Sequence, residues 1–220
     1  NNGYKVLGTG KLFHNGQDDK GVYHEFGFDA NFGPWPWNGC VPEVSLPSPN
    51  MSYLIDTNPE IAIQWEQTFG PLSDVPEWPA DPENRVPGYS GWRLNNKPFC
   101  YVDDDNRDLM PDELSSRWAA ARLREKHSSP FFLAVGFNRP HTPLYAPQKY
   151  FDRFPLSEIE LPPYKADDLD DCPDIVREQF SYGLDRYKLI TDCGGEEMWK
   201  RWIQAYLACV NFMDDQVGLI

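Results

Sequence analysis

Lys11 and His14 stand three residues apart in Gly10-Lys11-Leu12-Phe13-His14, and His141 stands inside Asn138-Arg139-Pro140-His141-Thr142-Pro143. Together they make a cationic set suited to an anionic tetrahedral ester. A lysine ammonium offsets charge on ester oxygens, and an imidazole protonates a leaving alkoxide or takes a proton from a nucleophile. The Lys-x-x-His spacing is weak alone, because such a pair usually lies at a surface. His141 carries more weight. Pro140, Pro143 and Pro147 fix φ around it and remove three backbone donors, so its loop loses little entropy on ordering.

Two strands must deliver these side chains. Tyr4 to Thr9 is apolar and is broken by Gly8 and Gly10, which predicts a short buried strand leading into the Lys11 and His14 loop. Phe131 to Val135 is short and rich in aromatic and branched residues, which predicts a strand buried on both faces that leads to His141. A rigid loop after a central strand is where α/β proteins place chemistry. Between the strands, Pro111 opens a helix expected to run to about His127. Asp112 and Glu113 in its first turn, and Arg124, Lys126 and His127 in its last, match the helix dipole, with His127 as a capping cation. Leu114, Trp118, Ala121 and, less regularly, Leu123 would form its packed face. Gln148 to Phe154 has room for one or two helical turns. After Gly194-Gly195, the three- and four-residue steps of Met198, Trp199, Trp202, Ile203, Tyr206, Val210, Met213 and Val217 predict an amphipathic helix.

Residues 26–98 are irregular, with Trp35, Trp37, Trp65, Trp78 and Trp92 among many prolines and glycines. Tryptophans there either pack onto the core from outside, the favoured reading, or line a recognition cleft. Asp103-Asp104-Asp105 with Asp108 has the look of a metal cluster but lacks the spacing of a calcium loop. A solvated turn fits better, as it does for Asp167, Asp168, Asp170 and Asp171. Cys40, Cys100, Cys172, Cys193 and Cys209 contain no C-x-x-C pair; Cys209 falls in the last helical pattern as a small buried hydrophobe, and the other four are free to pair or not. Asn50-Met51-Ser52 fits a glycosylation acceptor, a pattern that arises easily by chance. A formal charge of −14 argues against a nucleic-acid backbone or an anionic membrane as main partner, so positive potential for an anionic substrate must be local.

Four stretches, in order, resemble the type I sulfatases, most closely the iduronate-2-sulfatase-like branch. They are Gly3-Tyr4 with Gly10 to His14, then Pro130 to Pro147, then Lys149-Tyr150-Phe151-Asp152 with Ile159-Glu160-Leu161-Pro162, and last Ala205 to Gly218. The second and fourth are long enough to be specific. The resemblance implies an alkaline-phosphatase-like α/β fold, a central mixed sheet flanked by helices, that hydrolyses sulfate monoesters with a formylglycine nucleophile and a bound calcium ion. By that resemblance Lys11 and His14 contact the sulfate and the formylglycine. His14 takes a proton from the covalent sulfate intermediate, and His141 faces the sulfate and the leaving oxygen. Asn138, where many relatives carry a histidine, and Arg139 are expected on the substrate side.

The resemblance also exposes what is missing. Formylglycine arises from the cysteine of a C-x-P-x-R motif, whereas Cys40-Val41-Pro42-Glu43-Val44 lacks the arginine and follows the lysine loop. The family's paired N-terminal aspartates and its later metal pair have no counterpart, so no metal ligand is assigned. The expectation is the central part of one sulfatase catalytic domain, residues 1–220 with 26–98 as an irregular insertion, whose sheet is incomplete at both ends and is completed by flanking segments. Its substrate would be a sulfated small molecule or glycan, and relatives work in periplasmic, secreted or lysosomal settings. The rival readings are a phosphoester or phosphonate hydrolase of the same superfamily and an inactive glycan-binding remnant.

Overall fold

The structure, a computed structural model, describes residues 2–14, 20–36, 69–75, 77–78, 82–83, 89–95, 97–165 and 167–220. In chain order the strands are β1 (Lys5–Gly10), β2 (Glu25–Asp29), β3 (Trp35–Pro36), β4 (Phe69–Pro71), β5 (Glu77–Trp78), β6 (Tyr89–Ser90), β7 (Trp92–Leu94), β8 (Lys97–Phe99), β9 (Phe131–Gly136) and β10 (Leu144–Ala146). The helices are α1 (Pro111–Leu123), α2 (Gln148–Phe151) and α3 (Asp174–Gly218). The result is a mixed α/β arrangement with parallel sheets.

Both strands expected from sequence form, and they pair. β1 runs between β2 and β9, parallel to each, with Lys5 opposite Phe131 and Gly10 opposite Gly136. The carboxyl ends of the two strands approach so closely that side chains would not fit. A Cβ on Gly10, whose φ is +76°, would lie 1.9 Å from the Gly136 carbonyl oxygen, and one on Gly136 would lie 2.0 Å from that of Lys11. The contact is closed by a hydrogen bond of 3.1 Å from the Lys11 N–H to the Gly136 carbonyl. β9 is an edge strand among the described residues, and Phe132 is 58% exposed, so the expected burial on both faces is not found there. The apolar run correctly marks a strand, but only Phe132 along it is exposed and the rest are half-buried, so neither face is fully covered among the described residues.

The packed face of α1 also differs from expectation. Asp112, Ser115, Ser116, Ala119 and Ala120 are buried, whereas Ala121 and Leu123 are exposed and Leu114 and Trp118 half-buried. Small side chains bring the helix onto the sheet at Gly10, where a Cβ would lie 3.1 Å from Ser115 Oγ, while Gly27 makes room for the Trp118 ring, 2.7 Å from where a Cβ would lie. α1 ends at Leu123, short of His127, yet His127 serves the helix end as anticipated, donating through Nε2 to the Arg122 carbonyl at 2.8 Å and stacking on Phe131.

α3 is two helical runs broken at Gly195, where φ 60° and ψ −151° leave the helical region. The run after the break is the one expected from the Gly194-Gly195 signal; the run before it was not anticipated. Its buried stripe is Ala205, Ala208, Cys209, Phe212 and Gln216, with Met198 and Trp202 against the core, while Tyr206 and Val217 are exposed. The two alanines shift the stripe by about one position, because they allow α3 close to β10, and the Cys209 thiol donates to the Tyr145 carbonyl at 3.5 Å. This contact belongs to the main apolar core, which also holds Phe69, Leu72, Trp92, Met110 and Leu144. Trp92 is buried there against the Tyr145 ring, its Nε1 donating to the Leu72 carbonyl, which is the packing reading of the irregular segment. Trp37, Trp65, Cys40, Asn50 and the side chains of Trp78 and Cys193 lie outside the described residues; Cys100 and Cys172 are free thiols.

Asp104 is more than part of a solvated turn. Its carboxylate accepts from the Tyr101 hydroxyl and from the N–H groups of Gln148 and Lys149, capping α2 from a distant segment. The later acidic turn is exposed as expected at Asp167, Asp168, Asp170 and Asp171.

Two stability outcomes follow. In the whole protein, Gly10→Ala should lower the urea unfolding midpoint well beyond Gly3→Ala. Both place Cβ at positive φ, at about 1–2 kcal/mol each, but only Gly10 meets a backbone carbonyl, since nothing lies within 4 Å of Gly3. Equal shifts would remove the close approach as a cause. Burial pushes the Cys209 thiol up from 9.0 to about 12, with Arg139 opposing and Asp112 adding. Between those values the folded state holds a proton that the unfolded state releases, so stability falls as pH rises from 9.0 toward 12. A pH series of unfolding midpoints should show a shallower decline for Cys209→Ala than for the wild type.

Candidate functional site

Each strand of the three-stranded sheet ends near one residue of the candidate site. β1 leads directly into Lys11, β2 runs through Asp29 toward Phe32, and β9 leads to the 138–141 turn. Parallel strands exit on the same side, so the carboxyl edge gathers them.

Phe32 is where they meet. The Lys11 ammonium lies over its ring, 5.3 Å from the centroid, and the His141 imidazole is inclined to it at 51° with centroids 4.5 Å apart. His141 is exposed and Lys11 half-buried, so both are open to a ligand from solvent. The His141 Nδ1–H donates to the Thr142 carbonyl at 2.7 Å, which assigns that proton and leaves Nε2 for an incoming group. His14 is exposed on the Lys11 loop, and among the described residues no hydrogen bond or ring contact joins it to Lys11, Phe32 or His141.

The 138–141 turn closes with a hydrogen bond of 2.8 Å from the His141 N–H to the Asn138 carbonyl, and its Arg139–Pro140 bond, like Thr142–Pro143, is cis. What holds it is Asp112. This carboxylate, 2% exposed at the start of α1, accepts from the Asn138 N–H at 2.8 Å, the Asn138 Nδ2 at 3.0 Å and the Arg139 N–H at 2.9 Å. The helix N-terminus adds its own favourable dipole to the buried charge. Beneath the turn, the Arg139 guanidinium donates to three backbone carbonyls: Tyr145 at 2.9 Å, Phe32 at 3.0 Å and Gly33 at 3.2 Å.

Asn138 and Arg139, expected on the substrate side, are therefore both 3% exposed. Arg139 commits its guanidinium to the fold. Asn138 keeps one uncommitted group, its Oδ1, which is buried without a hydrogen-bond partner among the described residues. Sequence reasoning missed Asp112 and Phe32. Asp112 looked like a dipole-favoured acid in a first turn, and Phe32 lay in a segment without periodicity. Among the described residues no three His, Cys, Asp or Glu side chains converge where a metal ion could sit.

A lysine and an imidazole are thus brought to one aromatic ring at the carboxyl edge of a parallel sheet, in an α/β arrangement. No family model matches the chain. It is similar to a sulfatase of Formosa agariphila, at 35% identity over all 220 residues, which cover 35% of that protein. It is also similar to mouse iduronate 2-sulfatase, at 31% over 138 residues, and to the human protein of that name, at 28% over 136 residues; each alignment takes in 57% of this chain and about a quarter of the relative. The chain is therefore a sulfatase homologue over its whole length, with iduronate 2-sulfatases among the proteins it is similar to. It spans about a third or less of the length of the curated relatives it matches.

Removing the carboxylate beneath the turn should be costly. Asp112→Ala leaves the Asn138 and Arg139 N–H groups without an acceptor and should lose at least about 2 kcal/mol in urea unfolding. Asp105→Ala, the same charge change at an exposed acid, should stay within about 0.5 kcal/mol. Equal losses would show that net charge, not the turn, sets the effect.

Proposed function

We propose that the protein carrying this chain is a sulfuric ester hydrolase that cleaves a sulfate monoester. These residues would form the central part of a single catalytic domain of alkaline-phosphatase-like fold. The observation that carries the reading is the meeting of Lys11 and His141 at Phe32, in a sulfatase homologue. The names of the mouse and human relatives support a sulfated carbohydrate, such as a sulfated glycan, as substrate.

In this reading the Lys11 ammonium binds the sulfuryl oxygens, where charge grows as the ester bond breaks. His14, on the same loop, supplies a second imidazole to the sulfate. His141 faces the bridging oxygen: with Nδ1–H held by Thr142, a protonated Nε2 donates its proton to the departing alkoxide. Asn138 Oδ1 remains as an uncommitted acceptor beside the turn, and Arg139 acts on substrate only through the backbone it holds.

The sulfatase resemblance implies a calcium ion and a formylglycine, and neither is fitted by the sequence's cysteine motifs or by the described residues. No cysteine in the chain stands in a C-x-P-x-R motif, and no described acidic cluster suits a cation. We assign both groups to flanking segments of the same protein. When present, they would supply the nucleophile and further charge neutralisation.

In the whole protein, His141→Ala should reduce turnover of an aryl sulfate by about 10²-fold or more. Undiminished turnover would remove His141 from the mechanism. Faster hydrolysis of the matching aryl phosphate by the wild type would instead make the protein a phosphoester hydrolase.

A further inference from the structure

Phe32 is half-buried and stands apart from the main apolar core, so its ring is not explained by packing there. Its backbone is nonetheless held hard: Arg139, itself buried, donates to the carbonyls of Phe32 and Gly33. A ring pinned at its base and contacted by two candidate site residues, Lys11 and His141, is placed for those contacts. Lys11 and His141 belong to different strands' exits and share no hydrogen bond among the described residues; Phe32 is their common neighbour.

We propose that Phe32 is a positioning residue for the anion-binding pair. The electron-rich face attracts the Lys11 ammonium without neutralising it, as a carboxylate would, so the full positive charge remains for an anion. The same ring limits how the His141 imidazole can turn, which complements the Nδ1–H bond to Thr142 and keeps Nε2 toward the ligand. The role rests on the sulfatase reading for its chemistry, but the contact itself can be tested without any turnover.

The test uses the whole protein with three sequences at this position: wild type, Phe32→Leu and Phe32→Tyr. Lysines are reductively methylated with ¹³C-formaldehyde, and the Lys11 signal is assigned by its loss in Lys11→Arg. A ring-current shift of that signal should be present in the wild type and Phe32→Tyr, and absent in Phe32→Leu. Turnover of an aryl sulfate should fall about tenfold in Phe32→Leu and stay within about twofold in Phe32→Tyr, with melting temperatures little changed, as expected when a cation–aromatic contact is lost and then restored. A Lys11 signal that ignores Phe32→Leu, or equal turnover in Phe32→Leu and the wild type, would overturn the inference. A wild type that shows the shift but cleaves no sulfate ester would overturn the sulfatase reading and leave the positioning contact standing.

Discussion

The burial of two opposite charges around one short turn is the constraint on which the site depends. A carboxylate or guanidinium removed from water is costly unless its hydrogen-bonding capacity is met inside. Asp112 meets this by accepting three donors from Asn138 and Arg139, and Arg139 meets it by donating to three carbonyls. Neither charge could be satisfied by a chain in another path. The turn must pass over Asp112, and the segments carrying Phe32 and Tyr145 must pass within reach of Arg139. Three stretches distant in sequence, 32–33, 112 and 138–145, are thereby registered against one another before any ligand arrives.

The sheet adds a second constraint through what it lacks. Gly10 and Gly136 have no side chains where β1 and β9 end, and the resulting approach brings the Lys11 backbone against the start of the His141 segment. α1 then descends on its serines and alanines, which carries Asp112 to the turn. On the opposite side of Arg139, the Tyr145 carbonyl receives both its Nε and the Cys209 thiol, so α3 and the main core brace the far end of the loop. Small residues therefore determine the distances, and the larger ones fill what remains.

This explains what could be read from the sequence and what could not. β1, β9 and the helix after Gly195 were legible because apolar runs and glycine breaks are local signals. The faces of α1 and α3 were misphased because apolar counting favours Leu114 or Tyr206 over Ser115, Ala205 and Ala208, whereas close packing favours the small ones. His141 stood out through its prolines and Lys11 through its position after a strand. Asp112 and Phe32 had no such mark: the function of one depends on a turn 26 residues away, and that of the other on an arginine 107 residues away. Arg139, by contrast, was expected on the substrate side through the family resemblance. Only its burial reveals that it serves the backbone.

That distinction decides where the local positive potential comes from in a chain of net charge −14. If Arg139 faced the ligand it would dominate the field. Instead its guanidinium is buried and committed to the carbonyls of Tyr145, Phe32 and Gly33. The positive charge that an anion meets is then carried by Lys11 and by whichever imidazoles are protonated. Lys11 is held against an aromatic face rather than by an acid, so nothing described offsets it directly. An acidic surface keeps such a charge from acting far into solvent at ordinary salt, and an anion gains from it only on reaching the carboxyl edge of the sheet. In the proposed reading, selectivity for an anionic ester would therefore be a matter of contact geometry, and the buried pair that sets the geometry would matter as much as the exposed side chains that present the charge.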